Sequence, residues 1–520
     1  MRRRDPLAGG ALASTLRAAP PTSAPANTPD ASRSYPDLRT TRDGPDLMRS
    51  VFHFALGDLF SNVRMYRSGL LFEDQPCLCA GADYADPWTR DTAINTWNGV
   101  GLIFPEVAKI TLLASLGSSP EGPVILGQYW DKIIWTLGAW NYYLYTGDRA
   151  FLTLTFAASQ NTLAALERDE FDSEIGLFRG PAVYGDGVSA YPALYTNTGK
   201  FTGGEWVSTI TKWVSENPSL RAPRGFGLPM HALSTNCLYY AVYNTLPSIA
   251  RELNLAAAPS WSTKAADLRA AINRRFRDET TYRYKYLIDP NGNSDCQEGL
   301  GLAFAVLFGV AGEEQREAIF TGAHVTPAGM PCLWPPFERY GNAVHTSYGR
   351  HSGTVWPFIQ AFWGHAAALA GKTEIFAHEL DTLTAHAWRD KQFVEVCHPD
   401  TGLPYGGIQE SNTEPWHEWE VCNRQSWSAS GYLRLILMGL FGMRFDPDGV
   451  RFQPCVPVGS GWARLRGLRY RNAELDIEIT GTGSTISAFR VNGVSSENGL
   501  ILASTRGVQR VEIELTRAPA

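Results

Sequence analysis

From Asp46 to about Met443 apolar residues recur at three- and four-residue spacings in long segments, separated by loops rich in Gly, Pro and Asp. That period places the apolar side chains on one stripe of a helix, so each segment needs a partner to bury its stripe. About a dozen helices follow from the periodicity, among them Ala93 to Leu116, Gly127 to Tyr145, Arg149 to Glu167, Ser234 to Leu253, Gln297 to Gly309, Thr354 to Ala370, Thr373 to Arg389 and Ser426 to Leu440. Several are joined by tight turns. In YLYTGDRAFL (Tyr143 to Leu152) Gly147 suits the left-handed position that ends one helix, and Asp148 can accept from the free N–H groups that open the next. The pattern predicts consecutive helical hairpins in a mainly α domain over residues 46–445.

After Phe445 the texture changes to alternating or β-branched runs such as GVRFQPCVP, LRYRNAELDIEITG, TISAFRVNGV and GVQRVEIELT, punctuated by Asn-Gly and Gly-Thr-Gly turns. A small antiparallel, sandwich-like β domain is expected over residues 446–520, with Gly481 to Ser484 as a hairpin turn. Its alternation is that of any half-buried sheet, so a structural role is expected. Residues 1–45 differ again: Arg2, Arg3 and Arg4, a short LAGGALAS run, then sequence rich in Pro, Ala, Ser and Thr. Such a composition cannot pack and is expected to be disordered. RRRDPLAGGALAS resembles a twin-arginine export signal, with Pro6 where those signals usually carry an aromatic residue. It points to a periplasmic or secreted protein, with a cytoplasmic one as the alternative.

With 520 residues, 44% hydrophobic and 19% charged, the chain can bury a large core. A net charge of -6 with scattered Lys and Arg speaks against a nucleic-acid partner or a polybasic membrane patch. No run reaches the ~18 apolar residues of a spanning helix. The eight cysteines form no C-x-x-C, no H-E-x-x-H occurs, and no G-x-x-x-x-G-K-S/T loop appears. A zinc hydrolase and a nucleotide-phosphate site are therefore not indicated, no metal or cofactor is expected, and most thiols should be buried and free. The sixteen Trp and twenty-one Tyr suit the apolar faces of sugars, and equally fill cores.

Two carboxylates stand out: Asp186 in GLFRGPAVYGDGVSAYP (Gly176 to Pro192) and Glu395 in QFVEVCHPDTGLP (Gln392 to Pro404). Hydrolysis of a glycosidic bond needs one carboxyl group to protonate the leaving oxygen and another, ionised, to activate water. Asp186, between two glycines and near Phe178, Tyr184 and Tyr191, fits a carboxyl whose charge is disfavoured by burial; it also fits an exposed Asp-Gly hairpin turn. Glu395 fits a base held ionised by donors, or an ordinary solvated Glu. A separation of ~6.5–9.5 Å implies inversion, and ~5.5 Å a covalent intermediate.

Five stretches carry a resemblance: DPWTRDTAI (Asp86 to Ile94), the loop of Asp186, YGRHSGTVWP (Tyr348 to Pro357), VEVCHPDTG (Val394 to Gly402) and RQSWSASGYL (Arg424 to Leu433). Together and in this order they resemble the mannosylglycerate-hydrolase-like proteins and the broader glycoside hydrolase family 63, over roughly Asp46 to Met443. The resemblance implies an (α/α)6 barrel followed by the small β domain, and inverting hydrolysis of an α-linked sugar with Asp186 as general acid and Glu395 as general base. The chain departs from the family pattern at Cys397 and His398, where Tyr and Asn are usual, and in the Tyr184-Gly185-Asp186-Gly187 surroundings of the acid, where Trp precedes and Asn follows.

Candidate sugar-binding residues are Trp88, Arg90, Asp91, Tyr184, Asn236, Glu298, Trp334, His351, Trp356, Gln425 and Trp427, with Glu298 also a reserve catalytic carboxylate. Arg90 and Asp91 open a predicted helix, so they either clamp sugar hydroxyls or form an ion pair and a cap. The rival readings are a sugar phosphorylase on the same barrel, in which phosphate replaces activated water, and a non-catalytic carbohydrate-binding protein. The expected partner is a carbohydrate, and nothing in the motifs bears on oligomeric state.

Overall fold

The computed structural model describes residues 35–40, 46–196, 209–256, 260–281, 283–340, 347–410, 417–496 and 499–516. Twelve of its helices organise the larger region: α1 (Leu47–Ser61), α2 (Thr89–Asn95), α3 (Pro105–Ala114), α4 (Tyr129–Thr146), α5 (Arg149–Glu170), α6 (Leu233–Glu252), α7 (Ser260–Arg275), α8 (Gly299–Leu307), α9 (Glu313–Gly322), α10 (Pro357–Leu369), α11 (Thr373–Asp390) and α12 (Ser426–Arg434). The even-numbered helices pack side by side, α2 on α4, α4 on α6, α6 on α8, α8 on α10, α10 on α12, and α12 back on α2. Odd-numbered helices lie against them: α5 on α4, α7 on α6, α11 on α10, and α1 on α12.

Sequence explains the two kinds. GLGLAFAVL of α8 and SWSASGYLR of α12 offer small or apolar residues all round and are buried along almost their whole length, as a helix enclosed on every side must be. In α7 the buried residues are Trp261, Ala265, Leu268, Ala271 and Ile272, a single stripe at helical spacing. Helix approach is tight: a Cβ added to Gly138 of α4 would lie 2.7 Å from the backbone of Ala93 in α2. The α4–α5 turn forms as its residues dictate. Gly147 takes φ 75° and its N–H donates to Tyr143 O at 2.7 Å, while Asp148 accepts from the Phe151 N–H at 2.9 Å.

The single helix expected over Ala93 to Leu116 is broken. After α2 the chain widens into a π turn, Thr96–Val100, in which Gly99 adopts φ 128°, and α3 starts afresh at Pro105, a residue without an N–H and suited to a first helical turn. Gln297 and Glu298, expected within α8, instead pair with Trp334 and Leu333 as a short antiparallel ladder.

The β region also departs from expectation. Its strands are β1 (Asp37–Thr40), β2 (Met443–Asp446), β3 (Gly449–Phe452), β4 (Trp462–Tyr470), β5 (Ala473–Thr480), β6 (Ile486–Val491), β7 (Val494–Ser495), β8 (Leu500–Leu502) and β9 (Gly507–Leu515). A six-stranded sheet has the order β1-β4-β5-β9-β6-β7 and a three-stranded sheet the order β2-β3-β8. The sheet is mixed, since β5 and β9 run parallel. β1 lies in the segment expected to be disordered. It pairs antiparallel with β4 and buries Leu38 completely, a single apolar anchor that the composition of the preceding residues masks. The Arg2–Arg4 segment read as an export signal lies outside the described residues.

One hydrophobic cluster runs through the helices and the large sheet. Tyr145 of α4 meets Phe445 of β2 edge-on at 4.7 Å, and Arg471 Nε after β4 donates to Leu144 O at 3.1 Å. All eight cysteines are free thiols, Cys296 alone of them partly exposed. Among the described residues no helix is long and apolar enough to cross a membrane.

Candidate active site

The loop that carries Asp186 is held from several sides. Val183 N–H donates to Ser234 Oγ at the start of α6 (3.1 Å), Ala182 N–H to Tyr191 Oη (3.1 Å), and Tyr191 Oη to Gly185 O (2.5 Å). The flanking glycines answer crowding. A Cβ on Gly185 would lie 2.6 Å from Tyr191 Oη, and one on Gly187 would overlap Gln409 Oε1 and come within 2.9 Å of His351 Cε1. Gly187 has φ −87°, which any residue adopts. Close packing, and no hairpin turn, is what Gly-Asp-Gly serves here.

Asp186 Oδ2 accepts from Arg90 Nη2 at 3.3 Å, and Oδ1 lies 3.4 Å from His351 Nε2. Its side chain is 38% exposed, although Arg90 is at 8% and His351 at 2%. Tyr184 and Val188 of the same loop are completely buried, so the Asp186 side chain is the part of it that keeps an exposed edge. Burial raises the carboxyl pKa, but the Arg90 guanidinium and His351 outweigh it and hold Asp186 well below the usual carboxylate range. The expectation that burial keeps Asp186 protonated is thus corrected: Arg90 makes the isolated carboxyl an anion.

Glu395 follows α11 and is 3% exposed. Tyr84 Oη donates to its Oε1 at 2.8 Å, while Arg350 Nη2 at 2.7 Å and the Cys422 N–H at 3.3 Å donate to Oε2. A carboxylate accepts at about four positions, so a lone pair remains on Oε1. Arg350 is itself fixed by Gly406 O at 3.0 Å. Two consecutive residues, Arg350 and His351, therefore touch Glu395 and Asp186 respectively. One dipeptide thus contacts both carboxylates.

Arg90, in the first turn of α2, lies over the rings of Trp130 and Trp427 with centroids at 5.4 and 5.5 Å. Asp91 does not cap α2. Trp88 occupies the N-cap position without a side-chain bond, and Asp91 sits 4.0 Å from Arg90. Burial raises the pKa of Asp91 to about 7; Arg90 opposes this, and Asp131, Glu395 and Asp186 add to it. Trp88 is partly exposed at the helix entrance.

Other predicted sugar contacts turn out to support the site from behind. Trp356 donates to Arg350 O at 2.9 Å and stacks on His351 at 4.9 Å; Trp427 stacks on Phe358 at 4.2 Å. Gln425 bridges Ala80 O and Trp427 Nε1. Tyr184 is enclosed and donates to Cys332 O at 3.3 Å. Asn236 is enclosed too, accepting from Phe178 N–H at 2.8 Å and donating to Phe178 O at 3.1 Å, so it clamps a strand. Glu298 is completely buried and accepts from the Ser234 N–H at 3.0 Å, capping the start of α6. Burial raises its pKa to about 8. Tyr184, Asn236, Glu298 and Gln425, expected as ligand contacts, are enclosed by long-range packing and bonded within the protein. Trp334 is partly exposed and stacks on His324 at 4.0 Å.

Sequence reasoning missed Tyr84, Arg350, Ser189 and Gln409. Arg350 stands inside the YGRHSGTVWP stretch beside His351 and was open to notice. Ser189 and Gln409 are 220 residues apart and carry no local signal.

A helical framework that carries two carboxylates, each paired with an Arg, has the groups that glycosidic hydrolysis calls for. Residues 133–428 match the family described as mannosylglycerate hydrolase MGH1-like glycoside hydrolase domain, and the chain belongs to that family. No curated protein sequence matches it. Solved structures of similar fold include the glycoside hydrolase family 63 mannosylglycerate hydrolase from Thermus thermophilus with bound Tris (TM-score 0.55, 13% identity, 74% of this chain and 100% of that one). A family 78 rhamnosidase from a Bacillus species (0.54, 16%, 93% and 44%) and a sialidase (0.59, 12%, 92% and 40%) are also similar. The chain spans about two fifths of the length of the latter two. At these identities the likeness is one of fold.

Proposed function

We propose that the chain hydrolyses an α-linked glycoside with inversion, Asp186 acting as general acid and Glu395 as general base, in the mouth of an (α/α)6 toroid. The neighbour order α2-α4-α6-α8-α10-α12-α2 supports the toroid, as the inner ring of six hairpins. One observation carries the chemistry: Arg350 and His351, adjacent in the chain, hold Glu395 and Asp186. Tyr84 and Arg350 fix the Glu395 carboxylate so that its spare lone pair on Oε1 takes a proton from the attacking water. Asp186, the member with an exposed edge, delivers a proton to the leaving oxygen as the C–O bond breaks. Arg90 and Asp91 lie beside that edge and supply charge and hydrogen bonds to the sugar that occupies it. The glycosidic bonds named in the related structures, mannosides and rhamnosides above all, head the substrate panel.

The test is hydrolysis of a panel of α-mannosides, α-rhamnosides and α-glucosides by wild type, Asp186→Asn and Glu395→Gln. Each substitution should lower kcat by at least about 10²-fold with KM little changed. Wild-type rates in both variants reject the assignment.

A further inference from the structure

Arg90 raises a difficulty for the acid, since it holds the Asp186 carboxyl as an anion. The other side of the carboxyl supplies an answer. The Ser189 N–H donates to Gln409 Oε1 at 3.4 Å, which identifies that atom as the amide oxygen and an acceptor. Ser189 Oγ, 2.9 Å from the same oxygen, must give it its one hydrogen. The lone pairs of Ser189 Oγ then accept, from the His351 backbone N–H at 3.1 Å and from the ring Nδ1 at 3.1 Å. Nδ1 therefore carries a hydrogen, and Nε2 is the ring position that can be bare or protonated. Nε2 is closed off from solvent and makes no hydrogen bond; Asp186 Oδ1 faces it at 3.4 Å. Trp356 stacks on the ring at 4.9 Å and keeps it from turning away. Two lone-pair atoms at this distance, one of them enclosed, repel each other, and one proton between them converts the contact to attraction.

We infer that His351 is the positioning residue that holds the acid's proton: Asp186 and His351 act as one unit with a single exchangeable proton, and Asp186 is its outlet to the substrate. The inference rests on Asp186 being the general acid. At the start of a cycle the pair holds one proton. When the glycosidic C–O bond breaks, the leaving oxygen keeps the bonding electrons and takes that proton from Asp186, while the attacking water gives a proton to Glu395 as its oxygen bonds to the sugar carbon. Solvent resets both: Glu395 releases one proton, and the pair regains one through Asp186, since His351 is enclosed. Burial acts against the proton on His351 and for it on Asp186, and Arg90 and Arg350 act against it on both. Asp91 and Asp131, within electrostatic reach of Asp186, act for it. Interacting groups of this kind titrate with values that belong to the pair, so the pair keeps a proton to higher pH than Asp186 alone would beside Arg90.

The test compares an alkyl glycoside with a dinitrophenyl glycoside of the same sugar, whose leaving group departs without a proton. His351→Asn should lower kcat/KM for the alkyl glycoside by about 10²-fold and move the alkaline limb of its pH profile to lower pH, while the dinitrophenyl substrate loses less than about threefold. Equal losses on both substrates, or an unmoved limb, overturn the inference. A second measurement needs no variant: ¹⁵N spectra of histidine-labelled wild type should show hydrogen on Nδ1 of His351 and a protonated or proton-sharing Nε2. Hydrogen on Nε2 with a bare Nδ1, or a bare Nε2 across the active pH range, overturns it. Asp186→Asn separates the two levels. If it retains alkyl-glycoside activity, the acid assignment itself fails; if it is inactive while His351→Asn behaves as wild type, only the role of His351 fails.

Discussion

Gly187→Ala adds one methyl group where the packing leaves no room, at a backbone angle that Ala adopts freely. The new Cβ overlaps Gln409 Oε1 and lies 2.9 Å from His351 Cε1. Neither neighbour yields cheaply, because Gln409 holds Ser189 and Ser189 holds the imidazole. Overpacking costs about 1–3 kcal/mol, and a buried hydrogen bond broken on one side adds about 1–3 kcal/mol. A loss of roughly 2–6 kcal/mol in unfolding free energy is expected. Because Asp186 is the adjacent residue, a shift of about 1 Å should also lower kcat by about 10²-fold. Denaturant titration and initial rates measure the two effects. Gly57→Ala is the control: its Cβ meets nothing within 4 Å, it lies inside α1, and it should stabilise by about 1 kcal/mol. If Gly187→Ala keeps both stability and kcat close to wild type, the packing argument for the acid loop is wrong.

Two further substitutions test residues whose roles the fold reassigns. Glu298 has its pKa raised to about 8, so the folded state keeps a proton that the unfolded chain loses above its ordinary value of about 4.3. Stability from this residue therefore falls as pH rises from about 4.3 to 8. Glu298→Gln keeps an acceptor for the Ser234 N–H and should be more stable than wild type at pH 8, on the order of a few kcal/mol, with the gap closing towards pH 5; a gap that is constant or widens on acidification contradicts this. Leu38→Ala should destabilise by about 2–5 kcal/mol, because Leu38 is fully buried in β1; an unchanged denaturation midpoint would mean that the strand contributes nothing.

How far the chain could be read in advance follows from the range of the forces involved. The Gly147-Asp148 turn depends on bonds spanning three or four residues and was legible. The helices α4, α5 and α11 lie where the periodicity places them, whereas the break between α2 and α3 depends on Gly99, whose left-handed angle a pattern of apolar residues does not reveal. Asp186 and Glu395 were singled out mainly by the resemblance of the stretches that carry them, and in the structure adjacent residues, His351 and Arg350, contact them. The charge state of Asp186 and the partner of Glu395 were not legible, because Arg90 is 96 residues from Asp186 and Arg350 is 45 from Glu395. Polar residues such as Asn236, Glu298 and Gln425 read as ligands in the sequence, and the backbone groups they bond lie too far along the chain to be read there.

The anomeric form of the first product tests the pairing of Asp186 with Glu395 most directly. Proton NMR during the first minutes of hydrolysis of an α-glycoside, before mutarotation, should show the β-anomer of the released sugar, as direct attack by a Glu395-bound water requires. Initial release of the α-anomer would mean a covalent glycosyl-enzyme intermediate and would contradict the general-base role of Glu395.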